Sequence, residues 1–162
     1  MSTWDERVEA VWADDALSDE ERIARIDALA AELGDGDARA LFERAGARDS
    51  AGIEDEAEPL YRAALDAGLD EYRHARAVIQ LASTLRNLGR TEEALGMLRT
   101  EYECGPGAPL HDAAAAFYAL ALVSAGDAVA AASIALKALA PHLPRYTRSV
   151  GAYAEDLLSE RN

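Results

Sequence analysis

Three histidines are the residues of this sequence best suited to hold a metal ion or to move a proton. His74 and His111 stand 37 residues apart, Asp37 stands a further 37 residues before His74, and His142 is the third histidine. Zinc requires its nitrogen and oxygen ligands at about 2.0–2.2 Å. Corresponding places on neighbouring helices are separated by about 8–10 Å. We therefore predict that these residues lie at the surface near helix starts and bind no metal.

The single cysteine and the carboxylate clusters also give no pattern for catalysis. Cys104 lies in the segment ECGPG, at the end of a predicted helix, where the helix C-terminus and nearby Glu103 do not activate a thiol. Carboxylates cluster at predicted helix starts, as in EDE at 54–56 and EE at 92–93, where they complement the helix dipole. No phosphate-binding loop, nucleophile elbow or metalloprotease motif occurs. We predict a protein that is not an enzyme and needs no cofactor.

The charge of the chain excludes several classes of partner. The 162 residues carry a net charge of −14, which opposes binding to nucleic acid or to an anionic membrane surface. One cysteine cannot form an intramolecular disulfide, and the N-terminal residues lack the basic and apolar regions of a signal peptide. We therefore expect a cytoplasmic protein.

The elements that position these residues repeat with a period of 37. Three segments align at that shift: GIEDEAEPLYRAAL at 52–65, GRTEEALGMLRTEY at 89–102 and GDAVAAASIALKAL at 126–139. Two columns of small residues define the repeat, Gly52, Gly89 and Gly126 and, five positions later, Ala57, Ala94 and Ala131. A constant period with the same small residues at matching positions is typical of a repeat array.

Each column has a physical meaning. A glycine can take a left-handed φ at little cost, so each glycine is expected to end the first helix of its repeat. A small alanine lets two helices approach closely. Apolar residues follow four and eight positions later on the same helix face; they are Tyr61, Leu98 and Ala135, then Leu65, Tyr102 and Leu139.

The repeats resemble tetratricopeptide repeats, whose usual period is about 34 residues. Repeats starting at Ala75 and Asp112 follow that pattern at most positions, whereas the repeat starting at Ala38 places Arg44 and Arg48 at normally apolar positions. The layout also resembles the small bacterial family called tetratricopeptide repeat group 5, whose members carry extra helices before the repeats and are thought to be dimers. The resemblance implies an all-α fold of antiparallel helix pairs in a right-handed superhelix, with capping helices at both ends.

Helices are also predicted outside the repeats. Apolar stripes predict two helices in residues 1–36, and Ser18 with Glu21 forms a capping box at the start of the second. The spacing of Leu143, Tyr146, Val150, Tyr153 and Leu157 predicts a last helix. We expect nine helices and no sheet in one α-solenoid domain, with three repeats in 37–144 and a capping helix in 145–162.

The resemblance places the binding surface on the concave face, which the first helix of each repeat lines. Carried over position by position, the residues expected to bind a partner are Arg39, Phe42, Arg76, Ile79, Ser83, Arg86, Asn87, Ala116 and Leu120. Gly46 and Asp49 also stand at concave-face positions of the first repeat. This surface changes from arginine-bearing to apolar along the array. Guanidinium groups suit carboxylates, so an acidic segment could dock on the arginines; alternatively, the arginines pair with the protein's own carboxylates.

The apolar end of this surface also has more than one interpretation. It could hold an apolar anchor of a partner peptide, or the C-terminal helix with Tyr146, Val150 and Tyr153 could fold back and fill it. A third use is self-association. We predict a scaffold that binds a protein or peptide, possibly acidic, as a homodimer; the alternative is a regulatory protein that senses a ligand or peptide in a pocket at the apolar end.

Overall fold

A computed structural model describes residues 3–159 of the chain, and all regular secondary structure in that range is helical. The helices are α1 (Trp4–Trp12), α2 (Asp19–Ala31), α3 (Ala38–Ser50), α4 (Glu54–Ala67), α5 (Glu71–Asn87), α6 (Thr91–Glu103), α7 (His111–Ser124), α8 (Ala128–Leu139) and α9 (Thr147–Ser159). A short 3₁₀ helix, Ala140–His142, lies between α8 and α9. Within the described range, the prediction of nine helices and no sheet is confirmed.

The three glycines of the repeat end their helices in the same way. Gly52, Gly89 and Gly126 have φ values of +73°, +79° and +86°. The residue after each glycine donates its backbone N–H to a carbonyl in the last turn of the preceding helix, with N···O distances of 2.9, 2.8 and 2.9 Å. This is the Schellman motif. Its recurrence every 37 residues confirms the predicted role of the glycine column.

The alanine column lies in the core, as the sequence predicts. Ala57, Ala94 and Ala131 are all buried, and Tyr61 and Leu98 are buried four positions after the first two. The third repeat differs, because Ala135 and Leu139 are exposed there. The second helix of the last repeat therefore keeps part of its apolar face uncovered.

The chain forms two compact units, and the boundary lies inside α5. We call residues through Thr84 the N-terminal half and residues from Leu85 the C-terminal half. In the N-terminal half α3 packs against α2 and α4, and in the C-terminal half α7 packs against α6 and α8. Short turns join α3 to α4 and α7 to α8, as in antiparallel helical hairpins. The single solenoid domain and its right-handed winding stay predictions.

A small hydrophobic cluster holds α1 and α2 against α3. Val8, Val11, Ile26 and Ala47 are buried at its centre, and both tryptophans pack against it. The capping box predicted at the start of α2 is present: Glu21 N–H donates to Ser18 Oγ at 3.2 Å, and Ser18 N–H donates to Glu21 Oε2 at 2.9 Å. Thr3 and Glu6 form a second capping box at the start of α1.

A carboxylate from α2 explains the two arginines that break the family pattern in α3. Arg44 Nε donates to Asp27 Oδ1 at 3.1 Å, and Arg48 donates to both oxygens of Asp27 at 3.0 and 2.9 Å. Burial acts to raise the pKa of Asp27, but the hydrogen bonds and charges of Arg48 and Arg44 outweigh it and hold that pKa below its usual range. The first repeat therefore replaces apolar packing with an ion-pair network.

The last helix begins later than its apolar spacing predicts. Leu143 and Tyr146 precede α9, and Tyr146 has a φ of +68°, which a helix cannot accommodate. Pro144 lies between them and disfavours helical backbone in the residue before it. Helix α9 packs against α8, where Ser133 Oγ donates to the carbonyl of buried Ala154 at 2.6 Å.

Candidate functional sites

Helix α1 lies against the predicted binding positions of the first repeat. The Trp12 ring lies 3.4 Å from the position that a Cβ atom would occupy at Gly46. The Arg39 guanidinium lies over the Trp4 ring, 5.4 Å from its centroid. Because Arg39 and Gly46 both stand at concave-face positions of the family pattern, α1 covers surface that the sequence predicts to be open in this half.

A cavity opens between α1, α3 and α5 in the N-terminal half, and we call it the Trp12 pocket. It has a volume of about 410 Å³. Its walls include Val8, Glu9, Trp12, Glu43, Arg73 and Arg76. Apolar and charged side chains thus face the same space.

Glu43 is the most buried charged residue of this pocket, with 6% of its surface exposed. Trp12 Nε1 donates to its Oε2 at 2.7 Å. Its second oxygen accepts no hydrogen bond from any residue that the structure describes. Burial raises the pKa of Glu43, and the hydrogen bond from Trp12 and the charges of Arg76 and Arg73 only partly oppose this effect.

The two arginines of the pocket differ in their partners. Arg73 donates to Asp70 at 2.8 Å and to Asp5 at 2.6 Å. The Arg76 guanidinium stacks over the Phe42 ring, 5.0 Å from its centroid, and forms no ion pair within residues 3–159. Arg76 therefore lines the pocket without a carboxylate in an ion pair with it, whereas Arg73 has two such partners.

The other predicted binding residues fall into several environments. Arg39 pairs with Asp37 at 3.2 Å, and Arg86 donates to the Asn87 side chain at 3.3 Å. Thus one of the three concave-face arginines pairs with the protein's own carboxylate. Phe42 and Ile79 are buried, whereas Ser83 is partly accessible.

A second cavity lies between α7 and α8 in the C-terminal half, and we call it the α7–α8 cleft. It has a volume of about 520 Å³. Its lining is wholly apolar and consists of Ala116, Ala119, Leu120, Val123, Ala128, Ala131, Ala132 and Ala135. Leu120 and Val123 are 48% and 56% exposed, so the cleft opens to solvent.

The C-terminal helix does not cover this cleft. Tyr146 and Tyr153 are 73% and 69% exposed, and α9 packs against α8 through Ala154. The interpretation in which α9 folds back and fills the apolar end is therefore wrong for the part of the chain that the structure describes. The reason is that the buried contact of α9 uses its alanine and not its tyrosines.

A polar network occupies another predicted concave-face position. Asp49 accepts hydrogen bonds from Thr84 Oγ1 at 2.9 Å and from the Tyr61 hydroxyl at 3.2 Å. Burial raises the pKa of Asp49 despite these two hydrogen bonds. Because Thr84 and Tyr61 are fully buried, this carboxylate joins α3, α4 and α5 and is not free to bind a partner.

The histidines stay apart from one another. His74 is exposed in α5, which begins at Glu71, and His111 is the first residue of α7, with its ring stacked on Tyr102 at 5.1 Å. His142 Nε2 lies 2.8 Å from Asp112 Oδ2. Among the described residues, no group of three histidine, cysteine, aspartate or glutamate side chains is placed to hold a metal ion. Cys104 is a free, exposed thiol at the end of α6.

Sequence reasoning missed Trp12 and Glu43 as site residues, although a signal for Glu43 existed. Glu43 stands between Ala40 and Ala47 at spacings of three and four, which places it on their buried helix face. A buried carboxylate requires a hydrogen-bond partner. The partner is the indole of Trp12, 31 residues earlier, and no local spacing reveals such a long-range pair.

Helix pairs closed by Schellman glycines at a constant spacing define an α-helical repeat protein. The family model described as Tetratrico peptide repeat matches residues 38–157, and it is the group 5 family that the sequence resembles. The chain belongs to this family, whose repeats generally mediate interactions between proteins. Comparison with curated proteins gives no match. No helix between residues 3 and 159 is long and apolar enough to cross a membrane.

Proposed function

We propose that this protein is a cytoplasmic, non-enzymatic interaction module that docks a partner protein or peptide and works as a homodimer. The observation that carries the proposal is the open α7–α8 cleft, whose lining is apolar while Leu120 and Val123 remain about half exposed. Exposed apolar surface of this kind marks an interaction site on a soluble protein.

The cleft suits an apolar anchor side chain of the partner. Most of its lining is alanine, so the partner backbone can approach α7 and α8 closely. Leu120 and Val123 add larger apolar surfaces on α7. A preformed cleft lowers the ordering cost of binding, because its walls need not rearrange.

Arg86 of α5 gives the proposed partner its acidic character. Like the α7–α8 cleft, it belongs to the C-terminal half, and it forms no ion pair with a carboxylate within residues 3–159. One of its nitrogens donates to the Asn87 side chain. The side chain is partly exposed and has further N–H groups that can donate to a carboxylate of the partner, and such charge-assisted hydrogen bonds are among the stronger ones.

The homodimer uses other residues in this proposal, the exposed tyrosines of the C-terminal segment. Tyr146 and Tyr153 are the two most exposed large hydrophobic residues of the described chain. Tyrosine is enriched at protein interfaces because it combines a large apolar area with a polar tip. Assigning the dimer to these tyrosines leaves the α7–α8 cleft open for the partner, because neither of them lines it.

Selection of peptides from a display library tests the docking site. We expect enriched peptides with a large apolar residue and neighbouring acidic residues. Leu120→Asp places a charge in the cleft and should weaken their binding by at least about tenfold, since burying an unpaired charge is costly. The matched control is Val129→Asp, because Val129 is 42% exposed on α8 but does not line the cleft. Equal binding to wild type and Leu120→Asp would contradict the proposal.

A sensor of an apolar small molecule is the second candidate function. The wholly apolar lining of the α7–α8 cleft favours it. In that case a ligand of the cleft should raise the melting temperature of the wild type in a thermal-shift screen. The rise should disappear in Leu120→Asp and persist in Val129→Asp.

A further inference from the structure

We propose that the Trp12 pocket binds a small zwitterion of the chemical class of free amino acids. This inference goes beyond the proposed docking function, because it concerns the N-terminal half and makes no use of the α7–α8 cleft. Its basis is two groups of opposite charge that line one cavity and lack a hydrogen-bond partner among the described residues. They are the Arg76 guanidinium and one carboxyl oxygen of Glu43.

Arg76 is placed to receive the carboxylate end of the ligand. Its guanidinium is held over the Phe42 ring, which limits its orientations, and its N–H groups have no acceptor in the described part of the chain. A guanidinium can donate two parallel hydrogen bonds to one carboxylate. Arg73 does not compete for this role, because Asp70 and Asp5 already satisfy it.

Glu43 is placed to receive the ammonium end. Glu43 lines the pocket; the indole of Trp12 fixes one of its carboxyl oxygens, and the other accepts no hydrogen bond from the residues that the structure describes. Glu9 and Asp5 also line the pocket; Asp5 is paired with Arg73, so Glu9 is the further carboxylate there without an ion pair in the described part of the chain. An ammonium group donates three hydrogen bonds and has no acceptor, so carboxylates are its natural partners.

The separation of the two groups argues for a ligand that carries both charges. Arg76 is close enough to Glu43 for its charge to act on that carboxyl group, yet the two side chains form no ion pair within 4.0 Å. The two groups line the same cavity and do not satisfy each other's hydrogen bonds. A simple anion would satisfy Arg76 alone and a simple amine Glu43 alone, whereas a zwitterion satisfies both.

The size and walls of the pocket fit a small ligand. Its volume of about 410 Å³ lies within the usual range for ligand sites, about 300–1,000 Å³. Val8 and Trp12 supply the apolar part of the pocket wall for the ligand's side chain. Because Trp12 is part of that wall, ligand binding should change its fluorescence.

A fluorescence titration tests the proposal. The chain has two tryptophans, so a Trp4→Phe background leaves Trp12 as the only reporter. Each standard L-amino acid except tryptophan is added up to millimolar concentration. At least one should give a saturable change, and its N-acetyl form and its amide, which each lack one charge, should bind at least about tenfold more weakly.

Variants of the two unmet groups complete the test. Arg76→Gln and Glu43→Gln should each weaken binding by at least about tenfold, whereas the exposed control Arg145→Gln should leave it unchanged. Far-ultraviolet circular dichroism and a thermal melt establish that each variant is folded. If Arg76→Gln is not folded, Arg76→Lys takes its place and should also weaken binding, because lysine cannot donate two parallel hydrogen bonds to one carboxylate. Absence of saturation by every amino acid overturns the proposal. Equal binding of the N-acetyl form or of the amide, or unchanged affinity in Arg76→Gln, also overturns it.

Discussion

At the scale of single residues, charged groups decide where this chain departs from its repeat pattern. Arg44 and Arg48 occupy positions that the family keeps apolar, and Asp27 compensates by binding both. The sequence predicts that these arginines are anomalous, but it does not show their partner. Asp27 lies in a helix outside the repeats, so neither period nor helical spacing connects it to Arg48.

Replacing Asp27 with asparagine should destabilise the protein by about 1–2 kcal/mol. The loss should stay below the roughly 3–5 kcal/mol of a fully buried pair, because about a third of the Asp27 side chain is exposed. Urea unfolding measures the change. The control Asp19→Asn removes a more exposed partner, that of Arg22, and should have little effect.

Asp27 also predicts an acid dependence of stability. Its folded pKa is lowered, so its contribution is present above its unfolded pKa of about 3.9 and is lost as the pH falls through the folded value. The stability difference between wild type and Asp27→Asn should therefore shrink on acidification below about pH 4. If this difference in the free energy of unfolding stays constant down to the lowest pH, the ion pairs of Asp27 are not its cause.

Asp49 should behave in the opposite way. Its folded pKa is raised, so its ionised form costs stability at neutral pH and the wild type recovers that loss as the pH falls towards about 4. In Asp49→Asn the amide oxygen can accept from Thr84 and the amide group can donate to the Tyr61 oxygen. We expect a change below about 1 kcal/mol at neutral pH and a flatter pH profile in urea unfolding.

Asp49→Ala provides the contrast. It leaves the hydroxyl of fully buried Tyr61 without its acceptor, whereas the Thr84 hydroxyl can still donate to the Gln80 carbonyl at 3.0 Å. The expected loss is about 1–3 kcal/mol. Similar stability of the alanine and asparagine variants would mean that the hydrogen bonds of Asp49 contribute little.

At the scale of helices, the repeat glycines should be the least replaceable positions. Gly89 has a φ of +79°, so Gly89→Ala should lower the free energy of unfolding by about 1–2 kcal/mol. Gly96 is a matched control, because it lies inside α6 with nothing within 4 Å of an added Cβ atom. Gly96→Ala should raise stability by up to about 1 kcal/mol. Thermal or urea unfolding would separate these opposite signs, and a stabilised Gly89→Ala would contradict the helix-end role.

Helix ends were predictable where the signal is local. The glycine column and the Ser18–Glu21 capping box each depend on residues close in sequence, and both predictions are confirmed. The start of α9 was predicted too early because the apolar spacing continues across Pro144. Periodicity does not register that a proline disfavours helical backbone in the residue before it. The position of α1 could not be predicted, since one apolar stripe serves equally well to cap the array or to cover part of its concave face.

At the scale of the whole molecule, the proposed homodimer gives a direct measurement. Light scattering after size exclusion should report twice the 17.3 kDa chain mass over a range of concentrations. Tyr153→Asp should shift the mass to that of one chain, because a charge in an apolar interface lacks a partner. Tyr72→Asp is the matched control, since Tyr72 is 53% exposed but lies in the N-terminal half. A wild type that stays monomeric at every concentration would remove the dimer from the proposed function.

The constant spacing of the Schellman glycines has a consequence for how the gene can change. Excision of residues 53–89 would join Gly52 to Arg90, so a left-handed glycine would still be followed by a residue that already closes a helix end in the native chain. Duplication of the same segment would create the same kind of junction. Unequal recombination at a 37-codon interval therefore keeps the backbone conformation of a native helix end at the new junction. We expect a change in repeat number to disturb the local structure at that junction little.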